Sequence, residues 1–375
     1  MRVALSGWFA GRAVGSGQYT DALAGALRAA AGPGDAVDII RPAAGARRGV
    51  AGVLAKLVFE QHTFPRAAAG GDVAHVPYWA PPLRSPAPVV VTVHDLIPLA
   101  LSAYRARWSV RAYTRLVAHA TRGTAAVIAD SEHTAADLHA RLGVDRAAVH
   151  VVPLGVDARF RPLDGGDVGS ARLGIDGLPG LGAHPDLPPR YGLYLGGFDA
   201  RKNVATLLAA WRAVHAATGV PLVIAGSLPD GTDPLFPDPR ALARRAGLPD
   251  AALEYVGFVE EVAKPALLAG AAVFAYPSRY EGFGLPPLEA MACGVPVVAA
   301  AATSLPEVVG DAGILVDPDD VAGWGEALAA VLSDAALAGR LRAAGLARAA
   351  GFTWARTAER TWAVYRAVAR TDGGG

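Results

Sequence analysis

The sequence has almost no cysteine. Cys293 is the only one among 375 residues, which excludes an intrachain disulfide and any metal site built from several cysteines. Its neighbours are Met291, Ala292 and Gly294. Because free cysteine is usually a small buried packing residue, we expect Cys293 to pack rather than to act as a nucleophile.

Charge and long apolar runs are also scarce. Only 18% of the residues are charged and the formal net charge is +1, so the overall charge gives no indication of nucleic acid binding. No uninterrupted apolar stretch approaches the roughly 20 residues of a membrane-spanning helix. The opening MRVALSGWFAGRAVGSG has no small-residue cleavage site after a long apolar region. We therefore expect it to be the first strand of a fold, and the protein to be cytoplasmic.

One local charge bias stands out. No acidic residue lies between Asp95 and Asp130. Within that stretch five arginines follow at roughly helical spacing: Arg105, Arg107, Arg111, Arg115 and Arg122. Such a run is either a solvated helix face or a patch that meets an anionic lipid or an anionic acceptor. The second interpretation predicts peripheral contact with the inner face of a membrane through the 105–122 arginine face.

Short β-type runs alternate with helical segments along the chain. The runs cover residues 3–8, 37–42, 72–78, 89–95, 125–131, 149–155, 191–197, 221–227, 253–259, 272–278, 295–300 and 313–318. Predicted helices between the first six runs include 17–31, 106–122 and 132–143. Near-continuous apolar strands that alternate with helices predict parallel sheets covered on both faces.

Residues 163–190 interrupt this alternation with a stretch rich in glycine, proline and aspartate, which is typical of a linker or a long loop. We therefore predict an α/β protein with two doubly wound domains in series. Their bounds are 1–165 and 190–356, joined by a linker at 166–189. The tail from residue 319 onward is predicted to be helical, and its large apolar side chains need a partner surface.

Ligands of doubly wound sheets bind outside the carboxyl ends of the strands. After the first strand, Gly15-Ser16-Gly17 leads into a helix, and such loops let backbone N–H groups approach a phosphate. The G-x-G-x-x-G fingerprint is absent and the second strand ends without an acid, which argues against a dinucleotide-dependent dehydrogenase. The fourth strand ends in His94-Asp95, where His94 is either a cleft residue or a histidine bonded to local backbone.

Arg201 and Lys202 stand immediately before a predicted helix that begins near Val204. Two cations at this position oppose the helix dipole, which favours anions at its N-terminus. A diphosphate would remove the conflict, because arginine can bind two of its oxygens and lysine can act as a point charge. The pair therefore predicts a diphosphate site.

Two acids bracket an apolar stretch in RYEGFGLPPLEAMACGVPVVA, residues 279–299. Glu281 lies in a predicted loop, and Glu289 lies about one turn inside a short helix that starts near Pro286. Eight residues at 100° each place the two acids about 80° apart on a helix, so Glu281 is expected to project from the loop. The glycines on both sides of Phe283 would let the backbone approach a ligand.

Together these residues resemble the retaining glycosyltransferases of family 4, which have the two-Rossmann-domain GT-B fold and move a sugar from a nucleotide donor. The specific signature is the E-x7-E pattern in EGFGLPPLEAMACGVPVV. Support comes from VTVHDLIP, ADSEHTAADL, VPLGVD, GGFDARKN and LPEVVGDAGILVDP. The resemblance covers about residues 1 to 370. It implies an acceptor-side domain at 1–165 and a nucleotide-sugar domain at 190–356 that face each other across a cleft, with a closing helix at 357–375 that crosses back to the first domain.

The resemblance also implies a role for each matching residue. Glu281 would meet the hydroxyls of the donor sugar, and Glu289 would hold the ribose. Arg201 and Lys202 would bind the diphosphate and stabilise its charge as it leaves. His94 would lie by the sugar on the acceptor side.

Further contacts follow from the same resemblance. Gly17 would let the N-terminal loop close over the donor. The other implied donor contacts are Phe258 and Val259 near the base, and the backbone of Phe283, Gly284 and Leu285. Acceptor candidates are Glu60, Tyr78 and Trp79; the last two could stack on a sugar or simply pack.

Two positions depart from the family's pattern. Many relatives have an arginine where this chain has Gly197, which would shift the diphosphate load to Arg201. Pro265 is expected to interrupt a helix that normally runs through, which would alter the base pocket.

The implied reaction uses no metal and no cofactor, with the nucleotide sugar as co-substrate. We expect a hexosyltransferase of polysaccharide, glycolipid or secondary-metabolite assembly that works by a same-face mechanism on a glycan, lipid or small-molecule acceptor. The wording GFGLPPLEA favours mannosyl transfer from GDP-mannose. The alternatives are a relative with other chemistry, a phosphorylase or an epimerase, or a nucleotide-sugar-binding protein without catalysis.

Overall fold

The computed structural model describes residues 1–12, 14–43, 49–105, 108–162, 187–229 and 232–372. The chain divides into two compact units, one of Met1–Gly155 with Phe352–Gly375 (unit 1) and one of Val156–Gly351 (unit 2). This division begins unit 2 before the expected end of the first domain at residue 165. The predicted linker 166–189 lies, up to residue 186, outside the described residues.

Unit 1 is built on a parallel six-stranded sheet of order β2-β1-β3-β4-β5-β6. Its strands are β1 Arg2–Ser6, β2 Ala36–Ile40, β3 Val73–Val76, β4 Val89–Val93, β5 Ala126–Ala129 and β6 Val149–Val151. Its helices before residue 156 are α1 Gly15–Ala29, α2 Gly49–Val58, α3 Phe64–Ala67, α4 Ile97–Ala100, α5 Trp108–Thr121 and α6 Glu132–Leu142. A π-helical turn, Phe59–Thr63, joins α2 to α3, and 3₁₀ turns cover Ser102–Arg105 and Arg146–Ala148.

Unit 2 repeats this plan with a parallel sheet of order β12-β11-β10-β7-β8-β9. Its strands are β7 Gly192–Leu195, β8 Leu222–Ala225, β9 Leu253–Gly257, β10 Val273–Tyr276, β11 Val297–Ala300 and β12 Ile314–Val316. Its helices are α7 Val204–Thr218, α8 Pro239–Arg245, α9 Lys264–Ala269, α10 Leu285–Ala292, α11 Leu305–Val309, α12 Val321–Ser333 and α13 Ala335–Ala349. Its 3₁₀ turns are Ala200–Lys202, Asp250–Ala252 and Gly310–Ala312.

The two parallel sheets confirm the α/β prediction, and each of the twelve predicted runs overlaps a strand. The reason is visible in β4, whose five residues VVVTV are all buried, as expected of a central strand covered on both faces. Ser131 caps the N-terminus of α6, since its Oγ accepts a hydrogen bond from the N–H of Thr134 at 3.1 Å.

The final helix, α14 Trp354–Asp372, belongs to unit 1. Trp362 is 1% exposed, and its Nε1 donates to the carbonyl oxygen of Leu27 in α1 at 3.1 Å. Tyr365 is fully buried, and its hydroxyl lies 2.6 Å from Nδ1 of His75 in β3. Unit 1 thus supplies the surface that the aromatic side chains of this helix need.

Two further observations concern helices. The expectation that Pro265 interrupts a helix is wrong: it lies in the first turn of α9, where a missing N–H costs no intrahelical bond.

No single helix in the described ranges is long and apolar enough to cross a membrane. Helices α12 and α13, bent by 97° at their junction, are together long and apolar enough by length and composition alone.

Candidate functional site

The strand order of unit 2 reverses between β7 and β10. The chain runs from β7 through β8 to β9 on one side, and from β10 through β11 to β12 on the other. Open parallel sheets bind ligands outside the carboxyl ends of the strands at such a switch point. Arg201 and Lys202 follow β7 and Glu281 follows β10, so the topology brings them to one edge.

Four side chains meet at this edge, and we call them the Glu281 cluster: Glu281, Arg201, Lys202 and Tyr276. Glu281 Oε1 accepts from Lys202 Nζ at 2.6 Å, from Arg201 Nη1 at 3.0 Å and from the Tyr276 hydroxyl at 3.0 Å. Lys202 Nζ also lies 2.8 Å from the Tyr276 hydroxyl oxygen. The carboxylate and both cations are thus part of one ion-pair network.

The charges of the Glu281 cluster interact strongly because their side chains are largely withdrawn from water. Burial alone would raise the pKa of Glu281, but Lys202 and Arg201 outweigh it and lower the pKa to about 2. Glu281 is therefore an ionised group that only accepts hydrogen bonds. Burial and the nearby Glu281 charge raise the pKa of Tyr276 well above its ordinary value, so its phenol stays a donor.

Backbone contacts fix the Glu281 loop in place. The N–H of Glu281 donates to Thr303 Oγ1 at 3.0 Å, and Ser304 Oγ donates to the carbonyl oxygens of Glu281 and Phe283 at 2.9 and 2.6 Å. Arg201 Nη1 also donates to the carbonyl oxygen of Tyr280 at 2.8 Å. Thr303 and Ser304 were not predicted as site residues, although their place just after β11, at the same sheet edge, was an available signal.

Gly284 is the N-cap residue of α10 and has a backbone conformation that favours glycine. Its φ is 120°, and a Cβ there would lie 2.8 Å from Leu305 Cδ2. Phe283 is 6% exposed, so its ring packs inside the unit and only its backbone can serve a ligand. Leu285 is the first helical residue, and the two residues after it are prolines without an N–H.

Glu289 lies apart from the Glu281 cluster, inside α10. It is 7% exposed. Burial raises its pKa to about 7, against the opposing effect of Lys264 and with a further increase from Glu261. Neutral pH therefore lies within the titration range of this carboxyl.

The two residues expected near the base lie just after β9. Phe258 is 62% exposed and Val259 is 3% exposed. Phe258 can therefore offer a ring face to a planar ligand, whereas Val259 is a core residue whose contribution would have to come from its backbone.

In unit 1, His94 is held by a carboxylate. The register pairs Val93 of β4 with Ala129 of β5, which places His94 beside Asp130. The distance from His94 Nδ1 to Asp130 Oδ2 is 2.7 Å. Burial lowers the pKa of His94, but Asp130 outweighs it and raises the pKa above its ordinary value. Nε2 lies 3.3 Å from the carbonyl oxygen of Pro77, so a local backbone partner exists as well. Asp130 was not predicted from the sequence as the partner of His94.

Gly17 lies in the first turn of α1, packed under the loop after β1. Its N–H donates to the carbonyl oxygen of Val14 at 2.8 Å. A Cβ at Gly17 would lie 2.3 Å from the carbonyl oxygen of Arg12 and 2.6 Å from that of Phe9. The glycine is thus required for packing in this conformation, and its expected part in closing over a donor stays a prediction.

Glu60 lies on the π-helical turn, 2% exposed. Its Oε2 accepts from the Tyr113 hydroxyl at 3.0 Å, and its Oε1 lies 3.4 Å from Lys56 Nζ. Burial raises the pKa of Glu60, with Lys56 and Tyr113 opposing. Glu60 is thus a buried carboxyl beside a lysine, and its contact with an acceptor stays a prediction.

The two aromatic acceptor candidates pack inside unit 1. Tyr78 is 4% exposed, with its hydroxyl 3.1 Å from Ser6 Oγ. Trp79 is partly buried against the hydrophobic core, and its Nε1 donates to Thr121 Oγ1 at 3.0 Å. Both have packing roles here, and a contact with an acceptor stays a prediction.

Across the described ranges, no three His, Cys, Asp or Glu side chains are grouped so that they could hold a metal ion. The expectation of a reaction without a metal or another cofactor stays a prediction.

The sequence matches two families, one for each unit. The family described as Glycosyl transferases group 1 matches residues 189–334, and Glycosyltransferase Family 4 matches residues 15–160. O-antigen chain mannosyltransferase B of Escherichia coli is 41% identical over 178 residues, which cover 47% of this chain and 45% of the relative. D-inositol 3-phosphate glycosyltransferase of Xylanimonas cellulosilytica is 31% identical over 306 residues, which cover 78% of this chain and 71% of the relative.

The fold also has a close likeness among solved structures. Sucrose-phosphate synthase of Thermosynechococcus elongatus superposes with a TM-score of 0.74 at 23% identity, over 98% of this chain and 99% of that one. The two sheets and this likeness define a GT-B fold. The chain belongs to the family 4 glycosyltransferases. The chain spans 45% of the length of the O-antigen mannosyltransferase that it matches, and 21% of the length of a serotype-specific mannosyltransferase.

Proposed function

We propose that this chain is a retaining hexosyltransferase that moves mannose from GDP-mannose to a glycan, a lipid-linked or a small-molecule acceptor. The observation that carries the proposal is the Glu281 cluster at the switch point of unit 2. It combines an ionised carboxylate with two cations where a sugar diphosphate would bind. Mannose is favoured because the Escherichia coli relative is named a mannosyltransferase.

The cluster can exchange partners when a donor binds. Arg201 and Lys202 are held by Glu281 at 3.0 and 2.6 Å. An incoming diphosphate carries more negative charge than one carboxylate and presents several oxygens, so it competes for both cations. Glu281, relieved of part of this pairing, can accept hydrogen bonds from sugar hydroxyls. The same residues thus bind both parts of the donor.

The reaction follows from this placement of charge. The bond between the anomeric carbon and the phosphate oxygen breaks, and its electron pair leaves with the diphosphate. The acceptor hydroxyl oxygen bonds to the same face of that carbon, and its proton passes to an oxygen of the departing diphosphate. Arg201 and Lys202 stabilise the negative charge that develops there. No step draws on a metal or another cofactor.

Other residues take the roles that family membership suggests. Glu289 holds the ribose hydroxyls through its ionised form, since an ionised carboxylate accepts from two hydroxyls. Phe258 and the backbone of Val259 contact the nucleotide base. The backbone N–H of Leu285 donates a hydrogen bond to the phosphate, because it lies in the first turn of α10, where the helix dipole favours an anion.

The acceptor side belongs to unit 1. His94, oriented by Asp130 at 2.7 Å, acts beside the acceptor hydroxyl, and Gly17 permits the loop after β1 to move. Glu60 supplies a buried carboxyl for acceptor hydroxyls. The 105–122 arginine face provides peripheral contact with the inner face of a membrane, where a lipid-linked acceptor would be found.

A donor panel tests the proposal. Binding and acceptor-free hydrolysis of GDP-, UDP- and dTDP-sugars are measured for the wild type, for Glu281→Gln and for Glu326→Gln. Glu326 is an exposed glutamate of α12 and serves as the matched control. We expect GDP-mannose to bind and to be hydrolysed, with a loss of about 10²- to 10³-fold in turnover for Glu281→Gln only.

The stereochemistry of the product tests the same-face mechanism. Proton NMR of the released mannose should show the anomeric configuration of the donor. Inversion would contradict the same-face mechanism, and preference for another nucleotide sugar would correct the donor. Absence of binding to every sugar nucleotide would overturn the proposal, and reversible formation of a sugar phosphate from phosphate would indicate a phosphorylase.

A further inference from the structure

A small cavity in unit 1 is lined by five arginines. Its volume is about 210 Å³, and it is formed by α4, α5, the Ser102–Arg105 turn and the last turn of α6. The arginines are Arg105, Arg111, Arg115, Arg122 and Arg141. None of the described residues that line it is acidic. We call this cavity the arginine pocket. Arg107, which belongs to the same run of the sequence, lies outside the described residues.

Arg141 and Arg122 of the pocket have different kinds of partner within α6. Arg141 Nε lies 2.8 Å from Asp137 Oδ1, one turn away on α6. Arg122 Nε donates to the carbonyl oxygen of Leu142 at 2.6 Å, which is an uncharged acceptor. The sequence has no acid between Asp95 and Asp130, so α4 and α5 have no carboxylate of their own to supply.

One guanidinium atom has an unmet hydrogen bond. The buried Nε of Arg105 has no partner among the residues that the structure describes. A buried donor on a charged group is costly to leave unpaired, and guanidinium groups gathered around one cavity repel one another. A bound anion with several oxygens would remove both costs.

The size and the donor set together define the ligand. Sites for whole drug-sized molecules measure roughly 300–1,000 Å³, so a pocket of about 210 Å³ fits a single small anionic group. Arginine forks match the oxygens of phosphate in pairs. We propose that the arginine pocket binds the phosphate group of a phosphate ester.

The ester has two sources with the same chemistry, an anionic phospholipid headgroup or a soluble phosphate ester. Trp108 is 75% exposed and lies one turn before Arg111 on the same side of α5. An exposed tryptophan beside cations is typical of a side chain that enters a membrane interface. The pocket contains neither His94 nor any residue of the Glu281 cluster, so its test is independent of sugar transfer. Its lipid source rests on the membrane contact proposed above for the 105–122 arginine face.

Two binding measurements test it with a charge-matched control. The variant Arg111→Gln/Arg115→Gln removes two exposed arginines of the pocket, and Arg66→Gln/Arg84→Gln removes two exposed arginines elsewhere in unit 1. Vesicle flotation uses phosphatidylcholine alone and an equal mixture with phosphatidylglycerol. Calorimetry uses glycerol phosphate and inorganic phosphate in solution. Thermal unfolding of each variant confirms that it is folded.

We expect the wild type to bind the phosphate group in at least one of the two assays. The pocket variant should bind about tenfold or more weakly, because each charge-assisted hydrogen bond contributes about 1.5–3 kcal/mol. The control variant should bind nearly as well as the wild type. Binding to the phosphatidylglycerol vesicles identifies the lipid source. Binding in solution without vesicle binding identifies the soluble ester. Absence of both, or equal losses in the two double variants, would overturn the proposal.

Discussion

Lys202 Nζ lies 2.6 Å from Oε1 of Glu281, at the point where the strand order of unit 2 reverses. Both side chains are largely withdrawn from solvent, with 11% and 13% of their surface exposed. Each charge is therefore supported by the other, and a substitution at one position changes the environment of the other. A donor that takes over Lys202 must break or reshape this contact.

A double-mutant cycle measures that coupling. Lys202→Met and Glu281→Gln should each lower the free energy of unfolding by about 3 kcal/mol, because each leaves part of a sheltered ion pair unmatched. The double variant should lose less than the sum, with a coupling energy of about 0.5–3 kcal/mol. Urea unfolding gives the four values. Additivity within about 0.5 kcal/mol would show that the contact is not formed in solution.

Three of the four members of this cluster could be predicted from the sequence, but their contacts could not. Arg201, Lys202 and Glu281 were found because each follows an apolar run, and strand ends are where parallel sheets bind ligands. Their mutual ion pairs depend on β7 lying beside β10, and that pairing is a tertiary property that strand patterns do not specify. Tyr276 was missed for the same reason, since it reads as an ordinary strand residue.

The contact between Asp130 and His94 could not be predicted from the sequence either. Each residue follows a predicted strand, β5 and β4 respectively. Only the register that pairs Val93 with Ala129 shows that the two side chains are adjacent. Pro265 was misjudged because the start of α9 at Lys264 depends on where the preceding loop ends. The apolar runs, in contrast, predicted the twelve strands of the two sheets, and the pattern is strongest in central strands such as β4, which is buried throughout.

The His94–Asp130 pair should produce a pH-dependent stability. Asp130 raises the folded-state pKa of His94 above its ordinary value of 6.5. The stabilisation is therefore fully present below about pH 6.5 and is lost as the pH rises through the folded pKa. Asp130→Asn should be most destabilised relative to wild type in acid, with a difference that narrows in alkali. NMR titration should show the pKa of His94 falling in the variant, with His150 as an unchanged internal reference; an unmoved His94 would contradict the pair.

Glu289 should add a pH dependence of the same sign, because its folded-state pKa is raised as well. Burial raises its folded-state pKa from 4.5 to about 7, so the folded protein holds a proton that the unfolded chain has released. Its contribution to stability therefore declines between these two pH values. Glu289→Gln should be as stable as wild type below pH 4.5 and more stable above pH 7, by up to about 3 kcal/mol. Unfolding at both ends of the range measures this, with the exposed Glu326→Gln as the control.

Donor affinity should follow the same ionisation. If the ionised carboxylate holds the ribose, the dissociation constant of the donor falls as the pH rises through about 7. Glu289→Gln should abolish that dependence. A wild-type affinity that is flat between pH 6 and 8 would place the ribose elsewhere, since the pKa of Glu289 lies inside that interval.

Two glycines of α1 provide a matched test of the loop after β1. Gly17→Ala would place a Cβ 2.3 Å from the carbonyl oxygen of Arg12, and backbone cannot move aside as a flexible side chain can. We expect a loss of about 1–3 kcal/mol. Gly25 is exposed and a Cβ there meets nothing within 4 Å, so Gly25→Ala should stabilise the helix by about 0.5–1 kcal/mol. The two variants add the same atom to the same helix, so opposite signs in thermal unfolding would isolate the loop contact as the cause. Equal stabilisation by both would mean that the loop does not lie against Gly17 in solution and that this glycine is free to serve a ligand instead.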